Sequence, residues 1–142
     1  MTNITFALML LAALAAAPAD EAPRHQTYAQ AHRLTAQTGR PLVVLVGADW
    51  CSACRQMKQG ALPQVAQRGL LNKVSFAVVN TDHEGPLAKK LMRETSIPQL
   101  IMYRKTSDGW RRHSMVGART PAEIESFIGQ GLAPSAAQVS AK

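Results

Sequence analysis

The sequence predicts an α/β fold, a three-layer sandwich with a central mixed β-sheet and helices on both faces. Three observations point to it. Residues 42–46 (LVVLV) form a continuous β-branched-rich run, the mark of a strand covered on both faces. Helical and strand-like segments alternate around that run, as crossover connections between parallel strands require. Beyond Pro98 the alternation gives way to two short strands around an Asp-Gly turn and a capped closing helix.

Each element follows from local chemistry. Residues 27–37 predict a helix, with Tyr28, Ala31 and Leu34 at helical spacing and Gly39 ending it. The buried strand 42–46 comes next. From Cys51 onward the pattern is helical, interrupted near Gly60 and Pro63 and resumed over 64–71. Residues 74–79 are a second apolar strand. Residues 86–94 are helical, with Leu87, Lys90 and Leu91 on one stripe. Strands over 100–103 and 111–116 flank Thr106-Ser107-Asp108-Gly109, a hairpin signal. Thr120-Pro121-Ala122-Glu123 is a capping box with proline at the first helical position, ahead of Ile124, Phe127 and Ile128. No internal repeat is visible.

At 142 residues the chain fits one domain with a real core. Residues 6–17 are an unbroken apolar run too short to span a bilayer comfortably, and Ala17-Pro18-Ala19 supplies small residues for a signal peptidase. The expected organisation is a signal peptide over 1–19, a folded domain over 20–133 and a flexible C-terminal tail over 134–142. Met1 to Thr5 carries no Lys or Arg, which leaves an uncleaved N-terminal membrane anchor as the alternative. The expected location is therefore periplasmic or secreted. All 16 basic and 9 acidic residues follow position 19, so the domain keeps the net charge of +7. Scattered cations, with two Trp, two Tyr and three Phe in all, argue against nucleic acid as a partner.

Both cysteines stand in Cys51-Ser52-Ala53-Cys54, and the pair has three readings. As a structural clip it closes a four-residue loop worth about 2 kcal/mol, the low end for a disulfide. As a metal site it supplies half the ligands of structural zinc. His25, His32, His83 and His113 lack the paired spacing that would complete one, so no metal is expected. The redox reading uses every feature of the stretch. Cys51 falls at the start of a helix, where unpaired N–H groups and the helix dipole favour a thiolate. Cys54, one turn on, lies on the same side and is placed to attack a mixed disulfide.

The motifs "ADWCSAC" after a buried strand, "SIPQL" further on and "MVGARTPAEIESFI" near the end resemble the thioredoxin superfamily across residues 28–132. The wording around the cysteines and the long helix after them are most similar to bacterial exported thioredoxin-like proteins. They are also similar to the C-terminal domain of membrane thiol–disulfide interchange reductases. The resemblance implies that Cys51 is the nucleophile and Cys54 the resolving thiol. It implies that Trp50 flanks the site, that Pro98 follows a cis peptide bond with Ile97 beside the cysteines, and that Gly117 lets a substrate backbone approach. A strand-starting proline and a plain turn are the ordinary readings of Pro98 and Gly117. Family members usually carry a buried acid six positions before the first cysteine, where this chain has Leu45. That departure argues against rapid turnover of the family type and leaves the exchange chemistry intact. Asp49 and Arg55 are the charged candidates for tuning the thiols, with solvated surface roles as their alternatives.

The implied partners are proteins carrying disulfides or thiols, and a membrane thiol–disulfide reductase as electron source. No small-molecule cofactor is expected beyond the two thiols. Known potentials of such pairs span about 150 mV, on the order of 7 kcal/mol of thiolate stabilisation. Ser52 and Ala53 are small and uncharged and offer little of it, so the expected direction is reducing. A disulfide-introducing oxidase or isomerase is the nearer rival; a non-catalytic partner-binding module is the rival of another class.

Overall fold

The computed structural model describes residues 26–133. The expected signal peptide and C-terminal tail, and residues 20–25 of the expected domain, lie outside the described residues.

Thr27 caps the first helix, α1 (Tyr28–Thr38), through a reciprocal pair of hydrogen bonds with Gln30, and Gly39 closes it at φ 73°. The chain then enters β1 (Leu42–Gly47), every residue of which is buried. The helical stretch after the cysteines runs through α2 (Ser52–Gln56), a π turn (Met57–Ala61) and α3 (Leu62–Gln67). A 3₁₀ turn (Leu70–Lys73) leads into β2 (Ser75–Asn80), followed by α4 (Gly85–Leu91). The hairpin β3 (Gln99–Thr106) and β4 (Gly109–Val116) precedes α5 (Pro121–Leu132). The sheet has four strands in the order β2-β1-β3-β4. The β1–β2 pair is parallel, and β1–β3 and β3–β4 are antiparallel, so the sheet is mixed.

Alternation along β1 sorts its side chains into two cores. Val43 and Leu45 meet Met57, Leu62 and Val65 from the π turn and α3, and Ile124, Phe127 and Ile128 from α5. Leu42, Val44 and Val46 meet Ala31 of α1 and Ala88 and Leu91 of α4 on the opposite face. Each large aliphatic side chain removed from water in these layers contributes about 1.5–3 kcal/mol. No described helix is long and apolar enough to cross a membrane.

The structure corrects several boundaries. The hairpin strands expected over 100–103 and 111–116 extend to Thr106 and begin at Gly109, because their pairing continues to Thr106↔Gly109. No break occurs at Gly60 and Pro63. The Leu62 N–H reaches back five residues to the Met57 carbonyl, and the widened turn accommodates Pro63, which has no N–H to give. The helix expected to resume over 64–71 ends at Gln67, because Gly69 takes φ 80° and turns the chain into the 3₁₀ segment. The helix expected over 86–94 ends at Leu91, with Met92 extended at ψ 142°. Buried Gln99 explains the stop: its Nε2 donates to the carbonyls of Glu94 (2.7 Å) and Ser96 (2.9 Å) and holds that loop out of helix. At the hairpin tip the glycine of Asp-Gly carries the positive φ, 108° at Gly109.

Two of the cations are tied to the fold. Arg104 Nη1 donates to the Ala133 carbonyl at the end of α5, and Arg112 Nη2 to the Leu91 carbonyl at the end of α4. Cations at helix C-termini satisfy carbonyls the helix leaves unpaired.

The capping box of α5 is present in full. Thr120 Oγ1 accepts the Glu123 N–H at 3.3 Å, and Glu123 Oε2 accepts the Thr120 N–H at 2.8 Å. The Thr120 backbone N–H first, then the Thr120 hydroxyl and the Arg119 guanidinium, all donating to the Glu123 carboxylate, hold it below its ordinary value. A depressed folded pKa contributes stability above the unfolded value of about 4.3. That contribution is lost as pH falls through the lower folded value. Thr120→Ala is expected to cost about 1 kcal/mol in a urea melt at neutral pH. A change below a few tenths of a kcal/mol would show that α5 is held by its apolar stripe alone.

Candidate active site

The end of β1 at the centre of the sheet sets the position of the cysteines. After Gly47 the chain turns through Ala48, Asp49 and Trp50, and the Cys51 N–H donates to the Ala48 carbonyl at 3.3 Å. Cys51 keeps extended backbone (φ −80°, ψ 112°) and is the N-cap of α2. Its Sγ accepts the Cys54 N–H at 3.2 Å, doing with sulfur what Ser or Asp does with oxygen at this position. The two sulfurs are joined as a disulfide across a Cα–Cα distance of 5.2 Å, within the ordinary range. Both residues are buried, Cys51 at 8% exposure and Cys54 at 5%, while Trp50 presents its ring to solvent at 69%.

Ile97 packs on the small cluster of Ala48, Cys51 and Cys54, with Ala53 at its side. The Ile97–Pro98 peptide bond is cis. Pro98 is buried, and its carbonyl accepts the Gly117 N–H at 2.9 Å, which ties the loop before β3 to the loop after β4. Gly117 has φ 88°, and nothing lies within 4 Å of where a Cβ would stand, so backbone angle rather than crowding calls for glycine there. The following loop is fastened to the helical layer by the Arg119 N–H, which donates to Met57 Sδ at 3.1 Å. Asp49 is exposed, and the Arg55 guanidinium donates to its backbone carbonyl at 2.7 Å. These two candidates therefore meet each other at the rim of the site.

Beside Cys54 opens a cleft of about 420 Å³, with Leu45 and Val78 on its apolar wall and Lys58 and Glu84 among its polar groups. Leu45 is 1% exposed and belongs to the core on the α5 face. The position at which the resemblance leads one to look for an acid is thus occupied by packed hydrocarbon. Two further residues of this corner escaped sequence reasoning. A Cβ at Gly47 would stand 2.9 Å from Cys54 Sγ, so the disulfide can sit against the strand only because position 47 is glycine. Glu84 precedes α4 and accepts the Asn80 N–H at 3.3 Å. A glycine ending a buried strand just before a cysteine motif was the available signal for the first; none pointed to the second. Among the described residues no group of three or more His, Cys, Asp or Glu is placed to hold a metal ion.

The family model for thioredoxin matches residues 24–130. The chain belongs to the thioredoxin family. Its fold is shared with the solution structure of a thioredoxin from Thermus thermophilus, at 23% identity and a TM-score of 0.67, over 82% of this chain and 92% of that one. Chloroplastic thioredoxin z follows at 23% and 0.63, over 78% and 94%. Trxlp from Edwardsiella tarda is similar at 26% and 0.56, over 72% and 95%. No curated protein matches the chain. With a thioredoxin domain and its CxxC disulfide, this family member is a thiol–disulfide oxidoreductase whose substrates are protein thiols and disulfides. The Leu45 side chain distinguishes its site from that of an acid-bearing thioredoxin.

Proposed function

We propose that this protein works outside the cytoplasm as a reductant or electron carrier for disulfides in other proteins. The exchange chemistry rests on the Cys54 N–H aimed at Cys51 Sγ, at 3.2 Å, on the first turn of the helical run, and the direction rests on the uncharged Ser52 and Ala53 between the cysteines. In the reduced protein the same N–H and helix terminus favour the Cys51 thiolate. That thiolate attacks a substrate disulfide, forming a mixed disulfide and expelling one substrate thiolate. Cys54, deprotonated, then attacks Cys51 Sγ. The Cys51–Cys54 bond forms, the second substrate sulfur leaves with its electron pair, and the protein is oxidised by two electrons as the substrate is reduced. Trp50, Ile97, Pro98 and Gly117 would receive an extended substrate segment beside the sulfurs. The exposed Trp50 ring and the apolar Ile97 support a contact surface that is not charge-selective.

The reducing direction is supported by the residues between the cysteines. Ser52 is exposed and Ala53 half-buried, and neither brings a charge to the thiolate. Continued turnover then needs an electron supply, for which a membrane thiol–disulfide reductase is the partner of fitting chemistry. Export is supported by the apolar run over residues 6–17 and the small residues ending at Ala19. An N-terminal sequence of the exported protein beginning at Asp20 would bear it out, and one beginning at Met1 would favour the anchored form.

The deciding measurement is the potential of the Cys51–Cys54 pair, equilibrated in dithiothreitol and glutathione buffers and read by thiol trapping. A value of about −250 mV or lower is expected for a reductant. A value of about −150 mV or higher would overturn the direction and assign an oxidase or isomerase.

A further inference from the structure

The resolving step needs somewhere to put a proton, and the side chains around Cys54 restrict the choice. An ordinary thiol titrates near pH ~8.5, so at neutral pH Cys54 must give its proton up before it can attack. Leu45, Gly47 and Val78, on the sheet side of the cleft, cannot take it. The ionisable side chains lining the cleft are Asp49, Arg55, Lys58 and Glu84. The Arg55 guanidinium and Lys58 ammonium are donors only. Asp49 is exposed at the rim. Glu84 is half-buried and held in place, its Oε2 accepting the Asn80 N–H at 3.3 Å.

The β1–β2 register brings Glu84 to the same corner as the sulfur. Asn80 pairs directly with Gly47, and the Thr81 N–H donates to the Gly47 carbonyl at 2.9 Å. The missing Cβ of Gly47 faces Cys54 Sγ at 2.9 Å. Cys54, Gly47, Asn80 and Glu84 are therefore successive neighbours around one open cleft. Its volume of about 420 Å³ compares with roughly 30 Å³ for a water molecule, so solvent can bridge the two groups.

We propose that Glu84 is the carboxylate that accepts the Cys54 proton through solvent in this cleft. The inference rests on Cys54 being the resolving thiol. The proton passes from Cys54 Sγ to the Glu84 carboxylate. The thiolate so formed attacks Cys51 Sγ, the bond to the substrate sulfur breaks, and the leaving thiolate recovers a proton from Glu84 or from solvent. Lys58 and Arg55, which also line the cleft, add positive charge that favours the anionic partners. Asp82 and His83, both exposed, precede Glu84 on its turn and are the other titratable groups at that edge.

The test mixes reduced full-length protein with a chromogenic aryl disulfide in a stopped-flow instrument. Attack by Cys51 releases the first aryl thiolate, and attack by Cys54 releases the second. Glu84→Gln, which keeps an acceptor for Asn80, is expected to slow the second phase about tenfold near neutral pH and to leave the first in place. The deficit should close as pH rises past the thiol range, and added imidazole, a base small enough to enter the cleft, should restore the rate. A second phase with the parent's pH profile would overturn the proposal. So would slowing of both phases that is equal at every pH and indifferent to imidazole, the signature of a structural lesion. A second phase that survives Cys54→Ser would instead remove the resolving assignment on which the proposal rests.

Discussion

Cys51→Ser is expected to reduce insulin at the rate of dithiothreitol alone, a loss on the order of 10³-fold or more against the parent. A serine hydroxyl does not ionise near neutral pH and does not displace sulfur from a disulfide. No second cysteine can take over from Cys54's position, because the chain has only these two. Cys54→Ser is expected to behave differently. It keeps the attacking thiolate and loses the group that releases the substrate, so it should accumulate a mixed disulfide on Cys51. Mass mapping of the trapped adduct distinguishes the two roles. An adduct on Cys54 in the Cys51→Ser protein, with turnover retained, would reverse the assignment. The geometry favours Cys51 because its sulfur, and not that of Cys54, caps the helix.

The features legible in the sequence were those decided within a few residues. The box Thr120–Glu123 is a local hydrogen-bond pattern, and α5 starts where it predicts. The LVVLV run is apolar at every position because β1 is covered on both faces and paired on both edges. The π turn was not legible. Gly60 and Pro63 both signal a break, yet the packing of Met57, Leu62 and Val65 under α5 keeps the chain helical at the cost of one widened turn. The early end of α4 was hidden for a similar reason. It depends on Gln99, a residue of the next strand, reaching back to two carbonyls.

The site divides along the same line. Trp50, Cys51 and Cys54 share one motif and could be read together. That Ile97 packs on the cysteines follows from β3 pairing antiparallel to β1, which brings Gln99 opposite Val46 at the end of the strand that carries the motif. Gly47 and Glu84 depend on register between β1 and β2, and no local pattern encodes register with a parallel neighbour. Their meeting point is the C-terminal end of two parallel strands, the place where open α/β sheets leave room for chemistry.

Gly47→Ala tests whether that close approach matters to the disulfide. The added Cβ would stand 2.9 Å from Cys54 Sγ and 3.1 Å from Cys54 Cβ, and neither atom is the loose end of a long side chain. In the oxidised protein the sulfur is held by its bond to Cys51 and the Cβ by the helix backbone, so relief requires α2 to shift from the sheet. Such overpacking costs about 1–3 kcal/mol. In the reduced protein the Cys54 thiol can rotate away from the strand, which removes the shorter of the two contacts. The oxidised form therefore loses more, and the thermodynamic cycle moves the potential upward, by at most about 60 mV if the whole cost falls on it. Urea melts of both redox forms, with the potential measured on the same protein, check the argument. Equal destabilisation of the two forms with an unchanged potential would place the strain in the backbone alone. A loss under about 0.5 kcal/mol in both would mean that α2 yields freely and that glycine at this position is not required by the sulfur.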